Sequence, residues 1–388
     1  MQIVLIDEEQ NWKNLLPFCF TRPVSEIRIG ILTLREKWET LLQASCSYVT
    51  QSYLSEKYPL KASADQIVIH SSVSADRHLA AAIKNLQAGQ ALYLAQFLIA
   101  ARCSVAEFQS PSQLQKIEYT ESVLKIEQVY DIFQKNAEAI KADFESLCSQ
   151  RVSEALSKTV TVIGDPNLIF LEKGAKAEAC VLNTTSGPIY LGKDSEIMEG
   201  ALVRGPFALC EHSALKLGAK VYGASTVGPH SKVGGELSNS VIFGYSNKAH
   251  DGFLGNSVLG EWCNLGADTN NSNLKNNYGP VKLHNYAAGK SINTGLQFCG
   301  LMMGDHSKAG INTMFNTGTV VGVGCNIYGG GFPATHIPNF SWGGAEGFES
   351  YQLEKLAETA TKMYERRGLV FSTMDLKILR HLAEEAFS

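Results

Sequence analysis

Hydrophobic positions recur along this chain with three different rhythms. Near the N-terminus they come in short apolar runs, Gln2-Ile3-Val4-Leu5-Ile6 and Ile67-Val68-Ile69. Helical patterns over 75–86, closed by Gly89, and over 131–147 follow them. Strands alternating with helices predict a layered α/β domain over residues 1–155. Near the C-terminus, Leu353, Leu356, Ala360, Met363 and Tyr364 form one helical stripe that ends at Gly368. Leu376, Leu379, Leu382 and Ala383 form a second. This extension, 345–388, reads as a cap over the end of the shaft or as packing between subunits.

The middle of the chain, 160–343, is glycine-dense and lacks helical periodicity. Every sixth residue from Leu191 is aliphatic: Leu191, Ile197, Val203, Leu209, Leu215, Val221, Val227, Val233. The phase then shifts, with the run expected at Val241, Asn247, Phe253, Leu259 and Leu265, and later at Met303, Ala309, Phe315, Val321 and Ile327. A weaker run, Ile163, Ile169, Ala175 and Val181, precedes it. A hexapeptide period means one short strand and one corner per repeat, with one aliphatic side chain pointing into a shaft. Three such strands close a triangular coil, and coils stack through ladder hydrogen bonds at about 4.8 Å. The prediction is a left-handed parallel β-helix between the α/β domain and the C-terminal helices.

Composition narrows the partners. The 388 residues are 45% hydrophobic, with a net charge of −4. No basic field points to nucleic acid and no cationic run to a membrane surface. The start, MQIVLIDEEQ, lacks the form of a signal peptide, and stretches such as ALYLAQFLIAA are too short to span a bilayer. Nine cysteines without a CxxC pair suggest reduced thiols and a cytoplasmic protein.

Candidate chemistry begins with histidine. His212, His230 and His250 each follow an expected shaft position by three residues, which predicts a ladder on one edge of the prism. Three readings stay open: a metal-holding ladder, as in a β-helix lyase; His250 as a general base; or polar corner residues.

The stretch SNKAHDGFLGNSVLGEWCNLGADTNNSN, 246–273, resembles the acetyltransferase core of the bifunctional GlmU-like family. That family joins glucosamine-1-phosphate N-acetyltransferase to N-acetylglucosamine-1-phosphate uridyltransferase, in UDP-N-acetylglucosamine synthesis. TRPVSEIRIGILTLREKW and GDHSKAGINTMFNTGTVVG extend the resemblance, to a divergent branch. It implies His250 as general base and Glu236 as the residue that orients it. It further implies Asn264 and Asn273 on the sugar, and Arg204 and Lys248 on its phosphate. The acetyl-CoA groove would be lined by Ala267, Ile311 and Asn312. Ala267 also reads as a plain small corner residue, and Arg204 and Lys248 as solvated charges. Acetyl-CoA, an amino sugar phosphate, UTP with Mg²⁺, and a homotrimer are the implied cofactors and partners.

The chain departs from the family pattern at Leu274, where a Tyr is expected, and at Ser238, where a Lys is expected. Lys275 and Lys282 are candidates to replace the lost contacts. In the first domain the initial strand runs into EEQNWKNLLPFCFTRP with no glycine before Gly30. Arg22, Arg28 and Lys37 are read either as phosphate ligands or as structural ion pairs. A non-catalytic trimeric scaffold remains the alternative to an enzyme.

Overall fold

The computed structural model describes residues 2–387. The first domain is built on a six-stranded sheet. Its strands are β1 (Gln2–Ile6), β2 (Cys46–Val49), β3 (Gln66–His70), β4 (Gln90–Leu94), β5 (Phe97–Ala101) and β6 (Gln115–Glu118), in the order β2-β1-β3-β5-β4-β6. The apolar runs of β1 and β3 are buried on both faces and pair in parallel, as continuous hydrophobic strands should. The helices are α1 (Glu9–Asn14), α2 (Leu34–Leu42), α3 (Arg77–Lys84), α4 (Val105–Gln109), α5 (Asp131–Gln134) and α6 (Asn136–Cys148). A Thr33–Glu36 capping box starts α2.

Beyond residue 160 the chain winds into a parallel β-helix of three faces. Val203 and Val221 stack on the first face, Leu209 and Val227 on the second, Leu215 and Val233 on the third. These side chains fill one continuous shaft. The main run and the last run of six-residue positions are buried as expected. The phase-shifted run meets the shaft at Leu259 and Leu265 but misses it at Val241, Asn247 and Phe253, and the early run is only partly in phase. Val227 pairs with Ile242 rather than Val241, Val233 with Lys248 rather than Asn247, and Leu237 with Leu254 rather than Phe253. The coil shortens there, so the expected phase falls one residue early. In the first coils Leu182, not Val181, faces the shaft, and Ile163 is exposed.

The second face is covered by the first domain. Val241, Phe243, Val258, Met302 and Val320 join Leu15, Phe18, Ile27 and Ile29 in one core, and the Phe18 and Phe243 rings lie 5.3 Å apart. The segment RIGIL makes the polar part of this contact. Asn136 accepts from the Gly30 amide at 2.7 Å and donates to the Ala224 carbonyl at 3.0 Å, while the Thr226 hydroxyl donates to the Gly30 carbonyl at 2.9 Å. Gly30 has φ +77°, and a Cβ there would press on Asp143 and the Ala139 backbone.

The C-terminal helices, α7 (Leu353–Glu365) and α8 (Thr373–Phe387), do not cap the end of the prism. They lie along one of its edges and brace the first domain. Tyr364 stacks on Trp262 at 3.9 Å, Lys57 pairs with Asp375 at 2.6 Å, and Tyr53 stacks on His381 at 4.3 Å.

Candidate active site at an open corner of the prism

His250 lies at the corner between the third and first faces, two residues past the shaft position Lys248. The imidazole is exposed and makes no hydrogen bond or ring contact among the described residues. Two later coils stack on this corner. Asp268 donates its amide to the Asp251 carbonyl at 3.0 Å, and Asn312 donates to the Ala267 carbonyl at 2.8 Å. The ladder therefore places His250, Ala267, Ile311 and Asn312 on neighbouring rungs. Ile311 is 70% exposed, leaving an apolar side chain facing solvent beside the imidazole's edge.

Glu236 opens the first-face strand one coil below and donates its amide to Gly252 at 3.2 Å. Its carboxylate accepts from the Tyr222 hydroxyl, which pushes the Tyr222 pKa up. Among the described residues no hydrogen bond or ion pair joins Glu236 to His250, so the expected orienting contact is not made directly. Arg204 stands exposed further down the same face. With Lys220, Tyr222, Glu236 and Leu202 it lines a groove of about 510 Å³. Tyr222 had no signal of its own in the sequence and emerges only through the strand register.

Asn264 sits on the outer third face, paired in register with Asn247 and Lys308. Lys308 was not singled out in the sequence. It donates to the His306 carbonyl at 2.8 Å, and burial pushes its pKa down to about 8. Asn273 lies at the far end of the first face, where its amide donates to Asn256 at 2.7 Å. Lys275 is taken up within its own loop, donating to the Pro280 carbonyl at 2.7 Å, while Lys282 is exposed.

Two groups of expectations are corrected. Lys248 is 1% exposed and points into the shaft, where its ammonium donates to the carbonyls of Gly234 and His250. It has no surface on which to meet a phosphate. Arg22, Arg28 and Lys37 are likewise buried and partnered. Arg22 pairs with Asp305, and with Glu261 at 3.2 Å; Arg28 donates to the Phe243 carbonyl at 3.1 Å; Lys37 pairs with Asp143. Of their two readings, the structural one describes what they do.

The histidine ladder is also redrawn. His212 and His230 stack at 4.8 Å, but the next rungs are Tyr245 and Trp262, at 4.9 and 4.4 Å, and His306 follows at 6.4 Å. All five have positive φ, the left-handed corner between the second and third faces. His250 is on the other edge, because the shortened coil moves it there. Among the described residues no three His, Cys, Asp or Glu side chains gather as metal ligands.

In the first domain, a cavity of about 650 Å³ opens at the ends of β1 and β3, the usual ligand position in such a sheet. Asp7, Glu8, Glu9, His70 and Glu127 line it, with no Lys or Arg. Asp7 is engaged by the Thr50 hydroxyl at 2.6 Å and the Val24 amide, and burial raises its pKa to about 6. Asp7 and Glu8 already accept hydrogen bonds from within the protein, Glu8 from the Gln10 and Asn11 amides. These residues do not form a ready cation site.

Residues 3–152 match the sugar nucleotidyl transferase family. A bifunctional sugar-1-phosphate nucleotidylyltransferase/acetyltransferase of Sulfurisphaera tokodaii is 29% identical over 166 residues, 42% of this chain and 40% of that protein. The bifunctional protein GlmU of Methanocaldococcus jannaschii is 29% identical over 136 residues, 35% of this chain and 28% of that protein. Over these stretches the chain is similar to bifunctional GlmU-like proteins. These matches span less than half the length of either relative. A solved Arabidopsis UDP-N-acetylglucosamine acyltransferase aligns with 56% of this chain and 81% of its own, at 18% identity and a TM-score of 0.23.

Proposed function

We propose that this protein is an acetyl-CoA-dependent N-acetyltransferase acting on an amino sugar phosphate, with glucosamine 1-phosphate as the first acceptor to test. One observation carries the reading: His250 is an exposed, unpartnered imidazole on the same corner as Ala267 and the Ile311–Asn312 turn. The acceptor nitrogen attacks the thioester carbonyl, forming the C–N bond. A neutral imidazole takes the proton the amine must shed and returns it to the departing thiolate as the C–S bond breaks. Ile311 offers apolar contact to the acyl donor. Arg204, exposed on the first face, is a candidate cation for the sugar phosphate, with Asn264 on the adjoining third face as a polar contact to the sugar. Glu236 and Tyr222 border the site as a hydrogen-bonded pair.

The site is open on one side, and the first face carries exposed Leu202 and Tyr222. This supports a homotrimer in which a neighbouring prism completes the groove. All nine cysteines are free thiols, and no described helix is long and apolar enough to cross a membrane. Both fit a cytoplasmic enzyme. Nucleotidyl transfer by the first domain, from UTP to N-acetylglucosamine 1-phosphate, is the second reading and rests on the family match of residues 3–152.

The deciding experiment is thiol release from acetyl-CoA with glucosamine 1-phosphate, wild type against His250→Ala. Release by the wild type alone supports the reading. Absence of both release and acetyl-CoA binding overturns it.

A further inference from the structure

Every coil but one places an apolar side chain at the third-face shaft position between Ile197 and Ile327. The exception is Lys248, in the coil that carries His250. It sits between Val233 of the coil before and Leu265 of the coil after, buried and without a carboxylate partner among the described residues. An amine at such a place is costly unless its N–H groups are used. Two of them are, at 3.0 Å to the Gly234 carbonyl and 2.6 Å to the His250 carbonyl.

We infer that Lys248 is a positioning residue for His250, holding the corner from inside the shaft. Its chain reaches from the prism wall back under the corner, and its nitrogen ties together two successive coils. Gly234 belongs to the coil below, and its amide donates to the Lys248 carbonyl at 2.7 Å. His250 belongs to the same coil as Lys248, two residues further on. With its carbonyl held inward, the residue presents its imidazole outward. Burial pushes the Lys248 amine down to about 8, with the Asp251 and Asp268 carboxylates opposing that shift. A neutral amine still has two N–H donors, enough for both carbonyls. An aliphatic residue of equal length would fill the shaft equally well but take the donor from both carbonyls, the Gly234 one buried and the His250 one partly so.

The inference rests on the acetyltransferase reading for its catalytic consequence, and not for its structural one. The test compares full-length wild type, Lys248→Met and Lys248→Gln. Two quantities are read: acetyl transfer to glucosamine 1-phosphate, and hydrogen–deuterium exchange of the amides over 249–252. The Met variant should lose tenfold or more in kcat, with KM for both substrates within twofold, and its corner amides should exchange faster while other coils keep their protection. The Gln variant, which retains N–H donors, should recover part of both. Wild-type kcat and exchange in the Met variant would overturn the inference. So would loss of protection throughout the prism, because a positioning role confines the change to the corner. Were the wild type to transfer no acetyl group, the acetyltransferase reading would fall, and the exchange data would still decide whether Lys248 fixes the corner.

Discussion

Two edges of the same prism carry histidines, and they use them in opposite ways. On the edge between the second and third faces, His212, His230 and His306 are rungs in a stack with Tyr245 and Trp262, closed off by Tyr364 of α7. Their rings are used as flat surfaces. On the edge between the third and first faces, the His250 imidazole stands clear of rings and hydrogen-bond partners among the described residues. Its neighbours on that edge are small or polar, Gly235, Ala267 and Asn312, with the exposed Ile311 the exception. A ring that packs is held and partly or wholly removed from water. A ring that does not pack is free to exchange a proton with a substrate. The edge, more than the residue type, decides whether a histidine ring is packed or left open to solvent.

The comparison breaks most sharply at His250. Its replacement by Ala should lower acetyl transfer by about 10²–10⁴-fold, the usual loss with a general base. The thermal midpoint should hardly move, since no side-chain contact is lost. A midpoint drop of many degrees would make His250 structural and erase the contrast.

The covered edge should answer in stability instead. Arg22 is buried against Asp305 and Glu261, with its guanidinium 5.5 Å from the Phe243 ring. Asp305→Ala leaves that charge poorly paired and should cost about 3–5 kcal/mol in denaturant unfolding. A loss below about 1 kcal/mol, the range of an exposed ion pair, would show that Glu261 alone suffices.

Acid should sharpen the same distinction. Burial pushes the His306 pKa down to about 3 and the His70 pKa down to about 4. The unfolded chain binds protons at these sites first, so their contribution is complete above about 6.5 and shrinks as pH falls towards 3–4. At pH 5 each should subtract about 2 kcal/mol relative to pH 7. His306→Gln should flatten that slope, as read by urea midpoints at both pH values. An unchanged slope would mean that His306 does not titrate in this way.

The smallest expected effect is at Lys275, whose amine is used within its own loop. Lys275→Ala should stay within twofold of wild type in kcat/KM. A larger fall would assign it to the substrate after all.

The middle fold was legible because a shaft admits one side chain per strand, and few folds besides a β-helix require an aliphatic residue at every sixth position. Its phase was lost where coils shorten, since a corner can give up residues without leaving a hydrophobic mark. The change carried His250 to a different edge from His212 and turned Lys248 from a surface cation into a shaft residue. The basic residues of the first domain were harder to read. TRPVSEIRIG looks the same in sequence whether its cations meet a phosphate or a carboxylate far along the chain, and Arg22 meets Asp305. The Tyr222–Glu236 pair was unreadable for a related reason, as only strand register brings the two together.

The excursion over 272–300 leaves and rejoins the coil at a single corner. Its neck is pinched by the Leu274–Phe298 bridge and by the Cys299 amide donating to the Asn273 carbonyl at 2.9 Å. The ladder passes beneath it undisturbed, with Val258 pairing directly to Met302. Length and coil number are thereby uncoupled. Variation can enlarge, trim or exchange this appendage while the rungs around His250 keep their order, so under the proposed function what the protein grips is free to change without rebuilding the corner that carries His250.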